Sequence, residues 1–378
     1  MILYETVYPD FIGGVETRNH ELARALVRRG HEVTLAGFCG DLAGEPPRLH
    51  VRSLGDLGGR LYNREGKRST RQALRFAAAA ARFDLGPYDV VETPNMPYVH
   101  LLPLAARCRR AGKPLVVTWF EHWGAYWREY FGAAKAPAYR AVEWATAQLG
   151  TVATATSRLT AERLAAARRR GGVELVPCGI EVARVRAAAA DAEPGAPPLV
   201  FAGRLIAHKR LPLLLEAVRR LAETMPGPLL TVFGEGPERG RLEGLARPLG
   251  VEGRVRFRGH VERSEEVWRA MGGARIAVQP SAREGFGLFP LEAMAAGLPV
   301  VYCESAESAV PELVRDGVEG ICCAPTAEAL ASTLERLLAH DDERRRLAVG
   351  ARARAELYDW EEIARRFEEI FGSLLKRA

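Results

Sequence analysis

The chain has 378 residues, of which 48% are hydrophobic and 26% are charged, and its formal net charge is +6. This size and hydrophobic content predict two or three globular domains and exclude a miniprotein, a fibrous repeat and a largely disordered chain. The excess of positive charge is small, and acids alternate with arginines along the helices. We therefore expect a small anionic ligand and no nucleic acid.

The cysteines and the first residues indicate a cytoplasmic protein. The six cysteines form no C-x-x-C pair and no spacing typical of a disulfide framework. Met1 leads directly into a strand-like segment without the features of a signal peptide. No run reaches the roughly 18 apolar residues of a membrane span, so we expect no membrane-spanning helix.

Short β-rich runs alternate with amphipathic helices along the chain, which predicts the α/β class with parallel sheets. The expected strands are 1–4, 31–38, 89–92, 114–118, 151–156 and 173–176 in a first series, and 199–202, 229–233, 255–258, 274–278 and 299–302 in a second. The predicted organisation is a Rossmann-like domain at 1–186, a linker rich in alanine and proline at 187–198, a second Rossmann-like domain at 199–357, and a C-terminal helix at 358–378.

The first candidate site is the pair Gly13-Gly14, which follows the first predicted strand and precedes an amphipathic helix. Glycines let a ligand approach the backbone closely, and the amides at the start of a helix favour an anion. A phosphate or the polar edge of a sugar would fit there. The alternative is a tight turn that binds nothing.

The second candidate site is the loop Gly203–Lys209, directly after the strand 199–202. Ligands bind at the carboxyl ends of the strands in sheets of this class, so Arg204 and Lys209 would project toward a ligand. Two cations can hold a diphosphate and stabilise it as a leaving group. The alternative is that both side chains are merely solvated.

The third candidate site is the segment from Glu284 to Glu292, which reads EGFGLFPLE. Pro290 suits the first turn of a helix, so Glu292 is predicted in that turn and Glu284 on the loop before it. The carboxylates can accept hydrogen bonds from the hydroxyls of a ribose or hexose, while glycine amides meet phosphates. The alternative is that Glu292 only complements the helix dipole.

This third motif, EGFGL-x-x-LEAMA-x-G-x-PVV, closely resembles the signature of retaining glycosyltransferase family 4. The resemblance extends in order to the segments 13–35, 176–181, 203–211, 233–238, 255–261 and 311–320. It covers most of the chain and is weakest between Gly40 and Tyr88.

The resemblance implies two Rossmann-like domains that face each other across a cleft, the GT-B arrangement, with the C-terminal helix crossing back to the N-terminal domain. It implies a nucleoside-diphosphate sugar, expected to be UDP- or GDP-linked, on the second domain and a hydroxyl acceptor mainly on the first. No metal and no other cofactor are expected, since Arg204 and Lys209 would do the work of a metal ion. Members of this family retain the anomeric configuration of the sugar, and this chain offers no obvious carboxylate nucleophile. The resemblance therefore implies front-face substitution, in which the departing phosphate helps to deprotonate the acceptor.

The resemblance also assigns roles to residues. Glu292 would contact the ribose, Glu284 the donor sugar, and the amides of 285–288 the sugar and phosphates. The expected donor-binding residues are Gly14, Gly203, Arg204, Lys209, Gly234, Glu284, Gly285, Phe286, Gly287, Leu288 and Glu292. The expected catalytic residues are Glu284, Arg204, Lys209 and His122.

The acceptor side departs from the family pattern. Many relatives have a histidine where this chain has Phe120, and His122 is the expected substitute, with Glu121 as an alternative. A second departure is Ser308-Ala309, where many relatives have two glycines. The expected acceptor-binding residues are Gly13, Asn95, Glu121, His122, Trp123 and Trp127.

Other functions remain open at this point. A nucleotide-sugar epimerase, a phosphorylase on the same fold, and a sugar-nucleotide-binding protein without turnover are the alternatives. The segment 234–240 superficially resembles a dinucleotide fingerprint, but Pro237 and Glu238 argue against an oxidoreductase. The basic segment 60–82 could meet an anionic acceptor or a bilayer, although a solvated helix face is favoured over peripheral membrane contact. The acceptor and the oligomeric state are not predicted.

Overall fold

The structure, a computed structural model, describes residues 1–40, 45–62, 67–192 and 194–376. In this part of the chain the strands are β1 (Ile2–Thr6), β2 (Val33–Phe38), β3 (Leu49–Ser53), β4 (Val91–Pro94), β5 (Leu115–Trp119), β6 (Val152–Ala155), β7 (Val173–Leu175), β8 (Leu199–Ala202), β9 (Leu230–Phe233), β10 (Val255–Gly259), β11 (Ile276–Gln279), β12 (Arg283–Glu284), β13 (Val300–Cys303), β14 (Glu307–Ser308) and β15 (Gly320–Cys323). The helices are α1 (Gly14–Arg28), α2 (Thr70–Ala80), α3 (Leu101–Arg110), α4 (Trp127–Phe131), α5 (Ala136–Ala147), α6 (Arg158–Ala167), α7 (Val182–Ala190), α8 (Leu211–Leu221), α9 (Arg239–Ala246), α10 (Ser264–Gly273), α11 (Leu288–Ala296), α12 (Val310–Leu313), α13 (Ala327–Ala339), α14 (Asp341–Ala355) and α15 (Trp360–Leu375).

The chain folds as two compact units. Unit 1 comprises Met1–Gly179 together with the segment from Trp360 onwards, and unit 2 comprises Ile180–Asp359. The predicted first boundary, after residue 186, therefore differs from the structure, because α7 packs on α10 inside unit 2. The predicted linker at 187–198 is wrong at its start, since the alanines at 187–190 continue α7, as the high helix propensity of alanine allows.

Unit 1 is built on a parallel sheet with the strand order β3-β2-β1-β4-β5-β6-β7 within the described residues. This is the order of a Rossmann-like sheet, so the predicted α/β class is confirmed. The inner strands read as continuous apolar runs because helices cover both faces of the sheet, and Leu3, Val117 and Trp119 are fully buried. The order reverses between β1 and β4, and this reversal is the topological switch point of unit 1.

Unit 2 repeats the same topology. Its main sheet, in the described residues, has the parallel order β10-β9-β8-β11-β13-β15, and β12 pairs with β14 in a separate short ribbon. Leu199, Phe201, Ile276 and Val278 lie at its centre in one apolar cluster with the helices α8 and α13. The switch point of this unit lies between β8 and β11, the two strands that precede the second and third candidate sites.

The last helix, α15, belongs to unit 1, as the predicted return of a C-terminal helix requires. Its apolar stripe buries Trp360, Ile363 and Phe367 against α1. Arg29, directly after α1, forms an ion pair with Glu368 at the edge of this contact. Neither α15 nor any other helix in the described residues combines the length and the apolar character that crossing a membrane requires.

Candidate active site

Glu284 is held at the switch point of unit 2 by two side chains that come from both sides of it. Lys209, in a short 3-10 turn after β8, places Nζ 2.5 Å from Glu284 Oε2. Gln279, the last residue of β11, donates from Nε2 to the same oxygen over 2.6 Å. The side chains of Lys209 and Glu284 are only 14% and 16% exposed. Because both donors use Oε2, Oε1 keeps its capacity to accept a hydrogen bond from a ligand hydroxyl.

Two polar atoms at the end of β11 add to this site. Gln279 Oε1 and Ser281 Oγ are buried and have no hydrogen-bond partner among the described residues. A buried polar atom without a partner costs free energy that a bound hydroxyl or water can recover. Gln279 was not among the residues predicted from the sequence. Its only signal was a polar residue at the end of the apolar run IAVQ.

The loops after β8 and β9 pack backbone against backbone. A side chain at Gly234 would bring its Cβ within 2.0 Å of the Gly203 carbonyl oxygen, so only glycine fits there. Leu205 N donates to Glu235 O over 2.8 Å, and Glu238 N donates to Leu205 O over 3.0 Å. Gly203 and Gly234, both predicted to bind the donor, therefore also allow the close packing that fixes the loop carrying Arg204.

The helix α11 begins earlier than predicted. Gly287, with a φ of +106°, sets the turn before Leu288, so Glu292 lies in the second turn and the prediction of the first turn is wrong. Gly285 and Phe286 form the connection between Glu284 and this turn. Burial raises the pKa of Glu292 to about 7, against the opposing effect of the neighbouring Trp268 indole N–H.

Positive charge surrounds the loop after β8. Burial, followed by the nearby cations Lys209, Arg283 and Arg204, lowers the pKa of His208 to about 3. His208 is therefore neutral at pH 7. Burial disfavours a charge of either sign, so it is the three neighbouring cations that favour an anion beside this loop.

In unit 1 the glycine pair also follows a strand at a switch point. Gly13 is the residue before α1, which starts at Gly14. Glu16 in the first turn accepts a hydrogen bond of 2.6 Å from Thr6 Oγ1, at the end of β1. Burial raises the pKa of this carboxyl. The predicted role of Gly13 and Gly14 in ligand binding stays a prediction.

The segment after β5 is anchored by Asn95. Asn95 is 1% exposed; its Nδ2 donates to Glu121 O, and its Oδ1 accepts from Phe120 N, each over 3.3 Å. Both ends of the Asn95 amide thus bond to the backbone after β5, and its predicted contact with the acceptor stays a prediction. Phe120 lies against the guanidinium of Arg18, which is itself buried and paired with Glu92.

Glu143 on α5 organises the aromatic segment from Trp119 to Phe131. Its carboxylate accepts hydrogen bonds from the Trp123 and Gly124 amides (2.7 and 2.8 Å), the Tyr98 hydroxyl (3.1 Å) and the Trp127 indole (3.0 Å). Trp127 is 3% exposed and packs in the core of unit 1, and its predicted contact with the acceptor stays a prediction. No local pattern in the helix sequence singled out Glu143.

His122 and Trp123 are more exposed members of this segment. The side chain of His122 is 15% exposed, and its Nε2 lies 3.9 Å from Glu143 Oε2. Trp123 is half-buried and packs on Trp127 with a ring-centre distance of 4.6 Å. The predicted roles of His122, Glu121 and Trp123 toward the acceptor thus stay predictions.

The predicted site residues divide between the units. Unit 2 carries Gly203, Arg204, Lys209, Gly234, Glu284, Gly285, Phe286, Gly287, Leu288 and Glu292, whereas unit 1 carries Gly13, Gly14, Asn95, Glu121, His122, Trp123 and Trp127. Within the ranges that the structure describes, no three His, Cys, Asp or Glu residues converge as ligands for a metal ion.

Known families match both units. The model of Glycosyltransferase Family 4 matches residues 12–184, and that of Glycosyl transferases group 1 matches residues 188–354. A similar curated protein is the glycogen synthase of Mycobacterium tuberculosis, which is 34% identical over 201 residues, or 53% of this chain and 48% of that protein. The chain spans about half the length of the curated relatives it matches.

Solved structures are similar over almost the whole chain. Sucrose-phosphate synthase from Thermosynechococcus elongatus has a TM-score of 0.81 at 24% identity and covers 100% of this chain and 99% of its own. HepE from Anabaena, in complex with UDP and glucose, has a TM-score of 0.74 at 19% identity, with 98% of each chain covered. These similarities establish the GT-B fold. Because the two family models follow one another along both units, the chain belongs to the glycosyltransferases of family 4.

Proposed function

We propose that this protein is a retaining glycosyltransferase that moves a sugar from a nucleoside-diphosphate sugar to an acceptor hydroxyl without a metal ion. The observation that carries the proposal is the fixed carboxylate of Glu284, held by Lys209 and Gln279 at the switch point of unit 2. Membership of the family and the likeness to HepE, solved with UDP and glucose, support a nucleotide-sugar donor.

The donor would lie along the loops of unit 2. Arg204 and Lys209 bind the diphosphate and stabilise the charge that develops as it leaves. Glu284 accepts a hydrogen bond from a sugar hydroxyl through Oε1, and the amides of 285–288 contact the sugar and phosphates. Glu292 on α11 accepts from the ribose. The positive surroundings of His208 favour the same anion.

The transfer would proceed on one face of the sugar. The bond between the anomeric carbon and the diphosphate oxygen breaks, the sugar passes through an oxocarbenium-like state, and the acceptor oxygen bonds to the same face. The acceptor proton passes to the departing phosphate. Charge placement and orientation then supply most of the rate enhancement.

The alternatives are not favoured by the comparisons. An epimerase needs no acceptor, a phosphorylase needs free phosphate, and a binding protein yields no product. Arg204, Lys209, Glu284 and Glu292 are all present in the sequence, which argues against a loss of catalysis. A product assay with each co-substrate separates the four functions, and the anomeric configuration of the product by NMR tests retention.

The first experiment is a thermal-shift panel with UDP, GDP, ADP and dTDP, with and without EDTA, on the wild type and Lys209→Ala. One nucleotide should stabilise the wild type by mass action, equally in EDTA, and the shift should be lost in the variant. An absence of any shift in the wild type would refute the donor site. A shift abolished by EDTA would refute metal independence.

A further inference from the structure

Two cysteines of unit 2 face each other across neighbouring strands. Cys303 is the last residue of β13 and Cys323 is the last residue of β15, and the two are partners in the parallel register. Their Sγ atoms lie 3.9 Å apart, and neither residue forms a disulfide. Both side chains belong to the same apolar cluster, so they point to the same face of the sheet. None of the roles assigned so far uses this pair.

The pair lies close to the surface although both thiols are buried. Cys303 and Cys323 are 2% and 7% exposed, yet the residues that follow them in the chain, Glu304 and Ala324, are exposed to solvent. The ends of strands open by local fluctuation more readily than their centres do. A small oxidant can therefore reach the pair without unfolding of unit 2.

The surroundings of the pair favour one thiolate. Hydrogen bonding to Cys323 lowers the pKa of the Cys303 thiol against the effect of burial, and the positive charge of Arg210 lowers it further. The same contact, followed by burial, raises the pKa of Cys323. The Nη1 atom of Arg210 is buried and has no hydrogen-bond partner among the described residues. Because the thiolate is the reactive form of cysteine, Cys303 is the residue that reacts first with an oxidant.

The segment that follows Cys303 also holds the short strand that carries Glu284. Glu304 N donates to Cys323 O over 3.0 Å, at the point where β13 and β15 end. A few residues further along, β14 pairs with β12, and Ala309 N donates to Glu284 O over 2.8 Å. A displacement of the end of β13 is therefore transmitted through this segment to the backbone of Glu284.

A disulfide at this position requires the strand ends to move. Neighbouring strands lie about 4.7–4.9 Å apart, whereas the Cα atoms of a disulfide are usually about 4.4–6.8 Å apart and most often about 5.5–6 Å apart. The bond between Cys303 and Cys323 is thus possible, but it favours a wider separation of β13 and β15 at their ends. This widening stretches the hydrogen bond from Glu304 N to Cys323 O. A disulfide that is strained in this way is easily reduced, so the bond should be reversible.

We propose that a peroxide converts Cys303 and Cys323 into a reversible disulfide, and that this bond shifts Glu284 and weakens binding of the donor. The Cys303 thiolate attacks an oxygen of hydrogen peroxide, which releases one water and leaves a sulfenic acid. The Cys323 sulfur then attacks the Cys303 sulfur, the S–S bond forms and a second water leaves. Two thiols and one hydrogen peroxide thus give one disulfide and two waters. Only the weaker donor binding rests on the proposed function.

The first test treats the folded wild type with hydrogen peroxide, blocks the remaining thiols with N-ethylmaleimide and identifies tryptic peptides by mass spectrometry. A disulfide should join the peptides 284–315 and 316–336, and dithiothreitol should remove it. Cys303→Ser and Cys323→Ser should each lose this cross-link. Cys322→Ser, the matched control at the adjacent and more exposed cysteine, should retain it. A wild type that keeps all its thiols, or a cross-link that is lost in Cys322→Ser instead, would refute the disulfide.

The second test compares the reduced and the oxidised wild type, so it does not depend on the folding of a variant. Hydrogen exchange of the amides of 304–309 should be faster in the oxidised protein, and the nucleotide sugar should bind about tenfold more weakly until dithiothreitol restores both. Unchanged exchange in the cross-linked protein would refute the shift, and unchanged affinity would refute its effect on the donor. A reduced protein that binds no nucleotide sugar would refute the proposed function but not the disulfide, which is measured without a ligand.

Discussion

Lys209 reaches Glu284 across the switch point of unit 2, with Nζ 2.5 Å from Oε2. A cation that contacts a carboxylate can serve two partners at once, since an ammonium has three protons to donate. Lys209 can thus hold Glu284 in place while it also binds a phosphate oxygen. In the proposed function, this pair would couple the diphosphate to the carboxylate that contacts the donor sugar.

The first prediction concerns this pair. Lys209→Ala and Glu284→Ala should each lower the rate of transfer by at least about a hundredfold, because one preorganised contact to developing charge is worth that much. Circular dichroism should stay that of the wild type. Lys376→Ala, an exposed lysine on unit 1, is the matched control and should leave the rate unchanged. Wild-type turnover in either site variant would refute the assignment.

The second prediction separates the sugar from the nucleotide. Gln279→Leu removes one of the two donors to Glu284 Oε2, so the carboxylate loses its orientation toward a sugar hydroxyl. We expect about tenfold weaker binding of the nucleotide sugar, which corresponds to one hydrogen bond. The bare nucleoside diphosphate should bind within a factor of two of the wild type. Equal weakening of both ligands, measured by calorimetry, would instead indicate a general disturbance of the fold.

The third prediction concerns Glu292 and pH. Because its folded-state pKa of about 7 exceeds the ordinary value of 4.5, this carboxyl destabilises the fold once it ionises. The penalty is absent below pH 4.5, grows as the pH rises, and is constant above pH 7. Glu292→Gln should therefore unfold at higher urea than the wild type at pH 8, by about 3 kcal/mol at most, and show no such gain at pH 4.5.

The same variant should bind the nucleotide more weakly, since an amide is a poorer acceptor for ribose hydroxyls than a carboxylate. A gain of stability with a loss of nucleotide affinity is the expected combination. If Glu292→Gln lost stability at pH 8, the raised pKa would be refuted. If it bound the nucleotide normally, the ribose contact would be refuted instead.

The fourth prediction tests Glu143. Each of its oxygens accepts two hydrogen bonds, and glutamine can supply only one such oxygen. Glu143→Gln should destabilise unit 1 by about 2–4 kcal/mol in urea unfolding, because buried donors lose their partner. Glu129→Gln, an exposed acid nearby, should stay within about 0.5 kcal/mol of the wild type. Nucleotide binding, which the proposed function assigns to unit 2, should be unaffected.

Much of the fold follows from local patterns in the sequence. The strand β8 matches its predicted bounds, and most others differ by one or two residues, because continuous apolar runs between turn signals mark buried parallel strands. The strand β3 escaped prediction, since only Leu49 of its five residues is buried and it lies at the edge of the sheet. The prediction assigned the last four residues of α7 to the linker, because a run of alanines before a proline-rich segment resembles a linker in composition.

The candidate site could be predicted only where the chemistry is local. Lys209 and Glu284 lie in recognisable sequence motifs, and the structure brings them together. Gln279 and Glu143 act through hydrogen bonds to residues on other elements. No spacing pattern in the sequence therefore indicated them. Trp127 looked like a stacking residue by composition, but its burial depends on the packing of α5, which a local pattern does not encode.

The position of α15 makes the order of synthesis matter. Trp360 and Phe367 complete the core beside α1, yet the whole of unit 2 is inserted between them and the rest of unit 1. A ribosome therefore releases every residue of unit 2 before unit 1 has its last helix. Unit 2 can fold as a continuous segment during translation, while unit 1 must wait with the apolar face of α1 uncovered. In the nascent chain, the unit that begins first is the one that finishes last.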